Sequence, residues 1–119
     1  MIKIDSKAKW KNTGINLVAG RRYRYQVIGR WKDWYIECDA NGYSNFLMNL
    51  VGCLKRVPSA KWFQLIGVVN KNTSHIIKLG TDGTFTAPVS GLLWVFANDA
   101  EFAYCNNSGS VELHIHEDA

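Results

Sequence analysis

The chain has 119 residues, 47% of them hydrophobic and 20% charged. That is one domain, long enough to bury a genuine core without disulfide or metal staples, and too apolar to remain disordered. Its formal charge of +4 hides an asymmetry: residues 1–32 carry nine Lys or Arg against one Asp, whereas residues 79–119 carry no Lys or Arg against six acids. No apolar stretch reaches the roughly 20 residues needed to span a bilayer, and the polar start Met1 to Lys11 does not read as a signal peptide. The expectation is a soluble domain, cytoplasmic or released without a classical leader. Three cysteines, Cys38, Cys53 and Cys105, are an odd count and argue for reduced thiols rather than a disulfide framework. Cys105 is expected to be a small packing residue.

Along the chain the dominant period is two. Tyr23, Tyr25 and Val27 alternate with Arg22, Arg24 and Gln26, which predicts a strand with one buried face and wet arginines. Phe46, Leu47, Leu50 and Val51 recur at helical spacing after Asn41 and Gly42, so residues 43–52 form either one short helix or a long apolar loop. Trp62 to Val69 is a continuous apolar run, and His75 to Leu79 returns after a polar turn as a hairpin. Thr81, Asp82 and Gly83 turn the chain into Thr84 to Ala87, and Ser90 and Gly91 open the apolar run Leu92 to Ala97. Val111, Leu113 and Ile115 then alternate with Glu112, His114 and His116. Short strands separated by regular turns predict an all-β fold, an antiparallel β-sandwich or jelly roll.

Between the last two strands lies the most informative stretch: Asn98 and Asp99, four spacer residues, then Tyr104, Cys105, Asn106, Asn107, Ser108 and Gly109. A carboxylate followed by adjacent side-chain amides supplies oxygen ligands of the kind a hard cation such as calcium requires. Taken by itself, Asn106 to Gly109 also fits an ordinary turn, because Asn and Gly tolerate positive φ and Ser caps loops. The loop falls in the acidic third of the chain, where electrostatics favour a cation.

From Asn98 to Gly109 the sequence resembles, without a gap, the PA-IL family of calcium-dependent, galactose-binding bacterial lectins. Gly83 to Gly91 and Val27 to Trp34 look like preceding strands of the same family. The resemblance implies a galactose-binding-domain-like β-sandwich that is not an enzyme. It assigns calcium ligation to the side chains of Asp99, Asn106 and Asn107, with main-chain carbonyls from Ala103 and from Trp34 or its neighbour Asp33. A sugar's vicinal hydroxyls would complete the coordination, with Asp99, Asn106 and the Ala100 amide hydrogen-bonding to the sugar. It also implies a homo-oligomer, tetramer or dimer, that binds galactose-type glycans.

The loop departs from the family pattern at Glu101 and Phe102, where the best-known members have Pro-Gly, and Phe102 could offer a ring to a sugar's apolar face. The family's sugar-contacting His in a middle loop has no counterpart, since no His precedes His75. Asn41, Tyr43, Asn45 and Asn49 are the replacement candidates. Of the tryptophans, Trp62 and Trp94 lie in apolar runs and read as core, while Trp31 and Trp34, flanked by charges, read as rim residues.

His114 and His116 share a strand face and could meet a soft metal, but two histidines without a third ligand more often form a solvated edge. No nucleophile elbow, phosphate-binding glycine loop or zinc-type cysteine spacing appears, so nothing argues for catalysis. The second reading of the chain is a basic β-sandwich interaction module that engages an acidic partner or nucleic acid through Arg21, Arg22, Arg24 and Arg30.

Overall fold

The computed structural model describes residues 1–44, 48, 52–100 and 103–118. Among these residues ten strands form two antiparallel sheets. The larger contains β1 (Ile2–Asp5), β3 (Arg22–Ile28), β4 (Trp31–Asp33), β5 (Ile36–Cys38), β8 (Asp82–Thr86) and β10 (Asn107–Glu117). The smaller runs β2 (Lys11–Leu17), β9 (Gly91–Ala97), β6 (Leu65–Val69) and β7 (Ile76–Lys78). The all-β sandwich expected from the strand and turn spacing is the observed architecture.

β10 organises the larger sheet. One edge pairs with β1; the other pairs with β3 and β4, which follow one another in a single register from Glu117 opposite Tyr23 to Asn107 opposite Asp33. The interruption between β3 and β4 is a glycine device. Gly29 lies at φ 110° and Gly109, across the ladder, at φ 86°. A Cβ on Gly109 would come within 3.1 Å of the Trp31 Cα, so backbone approach as well as the left-handed conformation demands glycine there. The last residue of the Asn-Asn-Ser-Gly stretch is thus structural.

Side-chain alternation decides what each strand presents. β3 has Tyr23, Tyr25 and Val27 inside and its arginines outside, and β4 continues the pattern with Trp31 and Asp33 inside and Lys32 outside. On β10 the inward set is Asn107, Val111 and Leu113. These residues meet Leu65, Val69, Leu93 and Val95 of the smaller sheet in the main core, which also takes in Ile4, Leu17, Trp31 and Phe63. β6 is buried on both faces, which is why Leu65 to Val69 reads as a continuous apolar run rather than an alternation. Its outer face packs Ile66 and Val68 against Val57, Ala60 and Phe96.

The helix or loop expected over residues 43–52 falls mostly outside the described residues. Tyr43 makes an isolated bridge to Trp62, the Met48 carbonyl accepts from the Trp62 indole N–H at 3.0 Å, and Gly52–Leu54 is a 3-10 turn. All three cysteines are free thiols, Cys38 buried and Cys53 and Cys105 exposed. No helix among the described residues is long and apolar enough to cross a membrane.

The charge asymmetry is partly resolved across the β3/β10 ladder. Arg21 meets Glu117 at 3.4 Å, and Arg22 and Arg24 share Asp118 at 3.5 and 3.4 Å. The arginine side chains remain more than half exposed. Such pairs add little stability, but they offset part of the basic face.

A buried carboxylate and amide site at the start of the last strand

β9 ends where Asn98 turns inward. Its side-chain N–H₂ donates to the carbonyls of Val57 and Lys61, both at 2.9 Å, and its Oδ1 accepts from the Val57 N–H at 3.0 Å. This clasps the 57–61 segment to the sheet end. Two further contacts close the loop that follows. The Ala103 N–H donates to the Ala100 carbonyl at 3.0 Å, and the buried Tyr104 hydroxyl donates to the Ala97 carbonyl at 2.5 Å. A 3-10 turn, Tyr104–Asn106, then delivers the chain into β10 at Asn107. Asp99 and Asn107 are therefore held at the two mouths of one short, internally tied loop.

Both are buried, each 1% exposed. Asp99 Oδ1 accepts the Ala100 N–H at 2.8 Å, while Asp99 Oδ2 is buried with no partner in hydrogen-bonding geometry among the described residues, although the Asn107 amide lies close enough to favour the charged carboxylate. The Asn107 N–H₂ donates to the Ser6 carbonyl at 2.9 Å, which fixes the amide and leaves Asn107 Oδ1 buried and unpartnered as well. Opposite Asn107 in the ladder sits Asp33, whose carboxylate is also buried. Cross-strand neighbours share a sheet face, so both side chains point into the sandwich. The Tyr43 hydroxyl donates to Asp33 Oδ2 at 2.6 Å.

The electrostatics follow from this crowding. Burial first, and the Asp33 charge second, push the Asp99 carboxyl up to about 6; the Ala100 N–H and the Asn107 amide offset part of the shift. Burial likewise raises Asp33, and the Tyr43 hydroxyl lowers it in part. Burial and the hydrogen bond to Asp33 raise the Tyr43 phenol, so it stays a donor. Two carboxylates thus compete for one low-dielectric space. An orphaned carboxylate oxygen, an orphaned amide oxygen and a second carboxylate are what a bound cation would satisfy. Among the described residues no three His, Cys, Asp or Glu side chains gather to hold a metal. The donors here are one or two carboxylates with amide and main-chain oxygens, a hard-cation set.

The remaining sequence candidates are dispersed around this point. Asn106 is exposed on the 3-10 turn, and the Ala103 carbonyl accepts the Asn106 N–H at 3.3 Å, leaving its second lone pair. The Ala100 N–H is committed to Asp99, and Ala100 is buried. Trp34, 70% exposed, follows Asp33 in the β4–β5 turn at φ 56°, its ring set edge-on to that of the exposed Tyr35 at 4.8 Å. Tyr43 reaches the site through Asp33. Asn41 instead ties its own turn to Thr81 by two hydrogen bonds. Asn45, Asn49, Glu101 and Phe102 lie outside the described residues.

Two expectations are corrected. Trp31 is no rim residue: it is fully buried and packs edge-on against Phe63 at 5.5 Å, its charged neighbours pointing the other way. Cys105 is exposed rather than packed, because it occupies the outside of the 3-10 turn. The buried Asp33 carboxylate opposite Asn107 is the feature that sequence reasoning missed. Its signal was available, since Asp33 has the same parity as Tyr23, Tyr25, Val27 and Trp31 on what is nearly one continuous strand.

No protein-family model matches the chain, and no curated protein matches it in sequence. Among solved structures it is similar to the EclA N-terminal domain, described as a PllA-like lectin, with a TM-score of 0.73 at 17% sequence identity. The superposition covers 98% of this chain and 94% of that one. The chain therefore has the fold of that lectin domain along nearly its whole length.

Proposed function

We propose that this protein is a non-enzymatic, calcium-dependent lectin of the PA-IL type that binds galactose-type glycans. The observation that carries the proposal is the pair of buried, unpartnered oxygens, Asp99 Oδ2 and Asn107 Oδ1, beside the Asp33 carboxylate. In this reading Asp99, Asn106 and Asn107 hold calcium through their side chains, and Ala103 and Trp34 through their carbonyls. Bound calcium would supply the positive charge that polarises two vicinal sugar hydroxyls. The chain's own residues do the rest. Ser6 orients the Asn107 amide, Tyr43 orients Asp33, and the Tyr104 hydroxyl fixes the loop that separates Asp99 from Asn107. Asp99 and Asn106 hydrogen-bond to the sugar, and the exposed Trp34 and Tyr35 rings beside Asp33 offer an apolar face for stacking. The fold shared with a PllA-like lectin domain supports the carbohydrate class.

A shallow polar site of this kind binds a monosaccharide at roughly micromolar to millimolar Kd, about −8 to −4 kcal/mol. Adhesion then gains from multivalency, worth about 10² to 10⁴ in avidity, and a homo-oligomer is part of the proposal. The test is retention on galactose and heparin resins, each with EDTA and with salt. Elution from galactose by EDTA but not by salt supports the lectin. Retention on heparin alone, lost steeply with salt and indifferent to EDTA, overturns it in favour of a basic interaction module.

A further inference from the structure

β10 carries a second polar constellation on its other face and toward its other end. Its register places His114 opposite Gln26 and His116 opposite Arg24 on β3. β3 in turn places Gln26 opposite Asp82 and Arg24 opposite Thr84 on β8. The outer face of the larger sheet therefore presents two parallel rows of three side chains, His114–Gln26–Asp82 and His116–Arg24–Thr84. With strands about 4.8 Å apart and same-face residues about 7 Å apart, the six cover a floor of roughly 10 by 7 Å. They line a groove of about 380 Å³. His114 lines it, and its Nε2 is buried without a hydrogen-bond partner among the described residues. A buried imidazole nitrogen left unpaired on an otherwise solvated face is costly unless something binds there.

The groups are ordered by chemistry. The two histidines on β10 and Arg24 on β3 supply donors, and Asp82 on β8, opposite Gln26 and diagonal to Arg24, supplies an acceptor. Asp118 takes one Arg24 nitrogen at 3.4 Å, and among the described residues the other guanidinium N–H groups have no partner. A simple anion would meet Arg24 but also face Asp82. A neutral sugar would satisfy Asp82 and leave Arg24 with only the Asp118 carboxylate, which it already shares with Arg22. A molecule with a carboxylate at one end and hydroxyls at the other matches both, and a hexose-sized ring fits the floor. We propose that this groove is a second carbohydrate site, specific for a hexuronate, with the sugar carboxylate on Arg24 and His116, a ring oxygen on His114 and hydroxyls donated to Asp82. Seven residues of extended strand, about 23 Å, separate His114 from Asn107. The groove is thus independent of the Asp99 site and of the calcium proposal.

The test uses the whole chain in EDTA, which silences any calcium-dependent site. Glucuronate is titrated while the histidine ring resonances are followed by NMR, with glucose and sulfate as controls. Glucuronate is expected to shift the His114 and His116 signals saturably with a millimolar Kd, and glucose and sulfate to bind at least about tenfold more weakly. Arg24→Ala and His114→Gln, both on the solvent-facing side of the sheet and checked for an unchanged melt, should each weaken glucuronate at least about tenfold. Asp82→Asn should weaken it as well. The proposal is overturned if no saturable shift appears by about 50 mM, if sulfate binds as well as glucuronate, or if Asp82→Asn tightens binding, since that result marks a simple-anion site.

Discussion

Asn98 and Asp99 are adjacent, polar and buried, yet the structure treats them oppositely. Asn98 is 0% exposed and every polar atom of its side chain is spent on Val57 and Lys61. Asp99 is equally buried, but one oxygen is orphaned and its carboxyl is pushed up to about 6. A satisfied buried amide is a structural clamp. An unsatisfied buried carboxylate next to a second one costs stability, and it is retained where something outside the chain completes it. The Asn-Asp pair at the end of β9 thus divides in two: the first residue holds the fold, and the second is the one the proposed cation would complete.

The largest effect expected from breaking this contrast is at Asn98. Asn98→Ala strands the Val57 N–H and two carbonyls in the interior, at a cost of about 3 kcal/mol or more. Urea denaturation should show the loss equally with calcium and with EDTA. A loss confined to the calcium form would place Asn98 in the site instead.

Asp99→Asn should do the reverse. It keeps the shape and an oxygen for the Ala100 N–H but removes the charge, so calcium-dependent sugar binding should disappear. The metal-free protein should become more stable at pH 7, by about 2 kcal/mol. The sign follows from the raised carboxyl: the folded state holds its proton to about 6, against an ordinary value of 3.8. Between these values the folded state binds more protons, so metal-free stability falls as pH rises from about 4 to about 6. The shift of Asp33 acts in the same direction. Thermal melts in EDTA across this window check the slope. Calcium should flatten it by binding only the ionised pair and adding RT ln(1 + [Ca]/Kd). If Asp99→Asn binds calcium and sugar like the parent in calorimetry, Asn106 to Gly109 is a turn and nothing more.

Tyr43→Phe removes the 2.6 Å hydrogen bond to Asp33 and leaves that carboxylate free to turn. Stability should drop by about 1 kcal/mol, and calcium affinity should fall by a factor of roughly ten or less. An unchanged calcium isotherm would detach Asp33 from the cation.

These contrasts also mark what was legible in the sequence. The alternation of Tyr23, Tyr25 and Val27, the Leu65 to Val69 run with its returning hairpin, and the strand–loop–strand of β9 and β10 all carry strong local periods and emerge as expected. β1 and β2 carry none. Ile2 to Asp5 is short, and Lys11 to Leu17 is polar, with its period broken by the irregularity between Asn12 and Asn16. Trp31 was misread because flanking charges suggest exposure, although strand parity says the opposite. Asp99 and Asn107 are singled out by the loop between β9 and β10 and by the family resemblance it carries. Their orphaned oxygens, the Asp33 carboxylate opposite and the Ser6 and Tyr43 supports depend on contacts between residues distant in sequence. The same holds for the groove over His114, whose members come from three strands and meet only through register.

The smallest structural effect, and the sharpest test of the division between fold and site, is expected at Trp34. The residue is 70% exposed, and its ring contacts Tyr35 alone among the aromatic rings described. Trp34→Ala should therefore change stability by no more than about 0.5 kcal/mol. A carbonyl ligand survives any side-chain change, so calcium binding should persist as long as the turn keeps its conformation. That turn holds Trp34 at φ 56°, where a non-glycine residue is uncommon, and Trp34→Gly gives a matched control that relaxes the backbone while removing the same ring. If the ring stacks on sugar, both variants should weaken galactoside binding by a similar factor, roughly 1 kcal/mol or about fivefold, with calcium isotherms unchanged. If only Trp34→Ala loses calcium, the ring serves to hold the turn. If neither variant alters sugar binding, the exposed aromatic pair has no part in recognition.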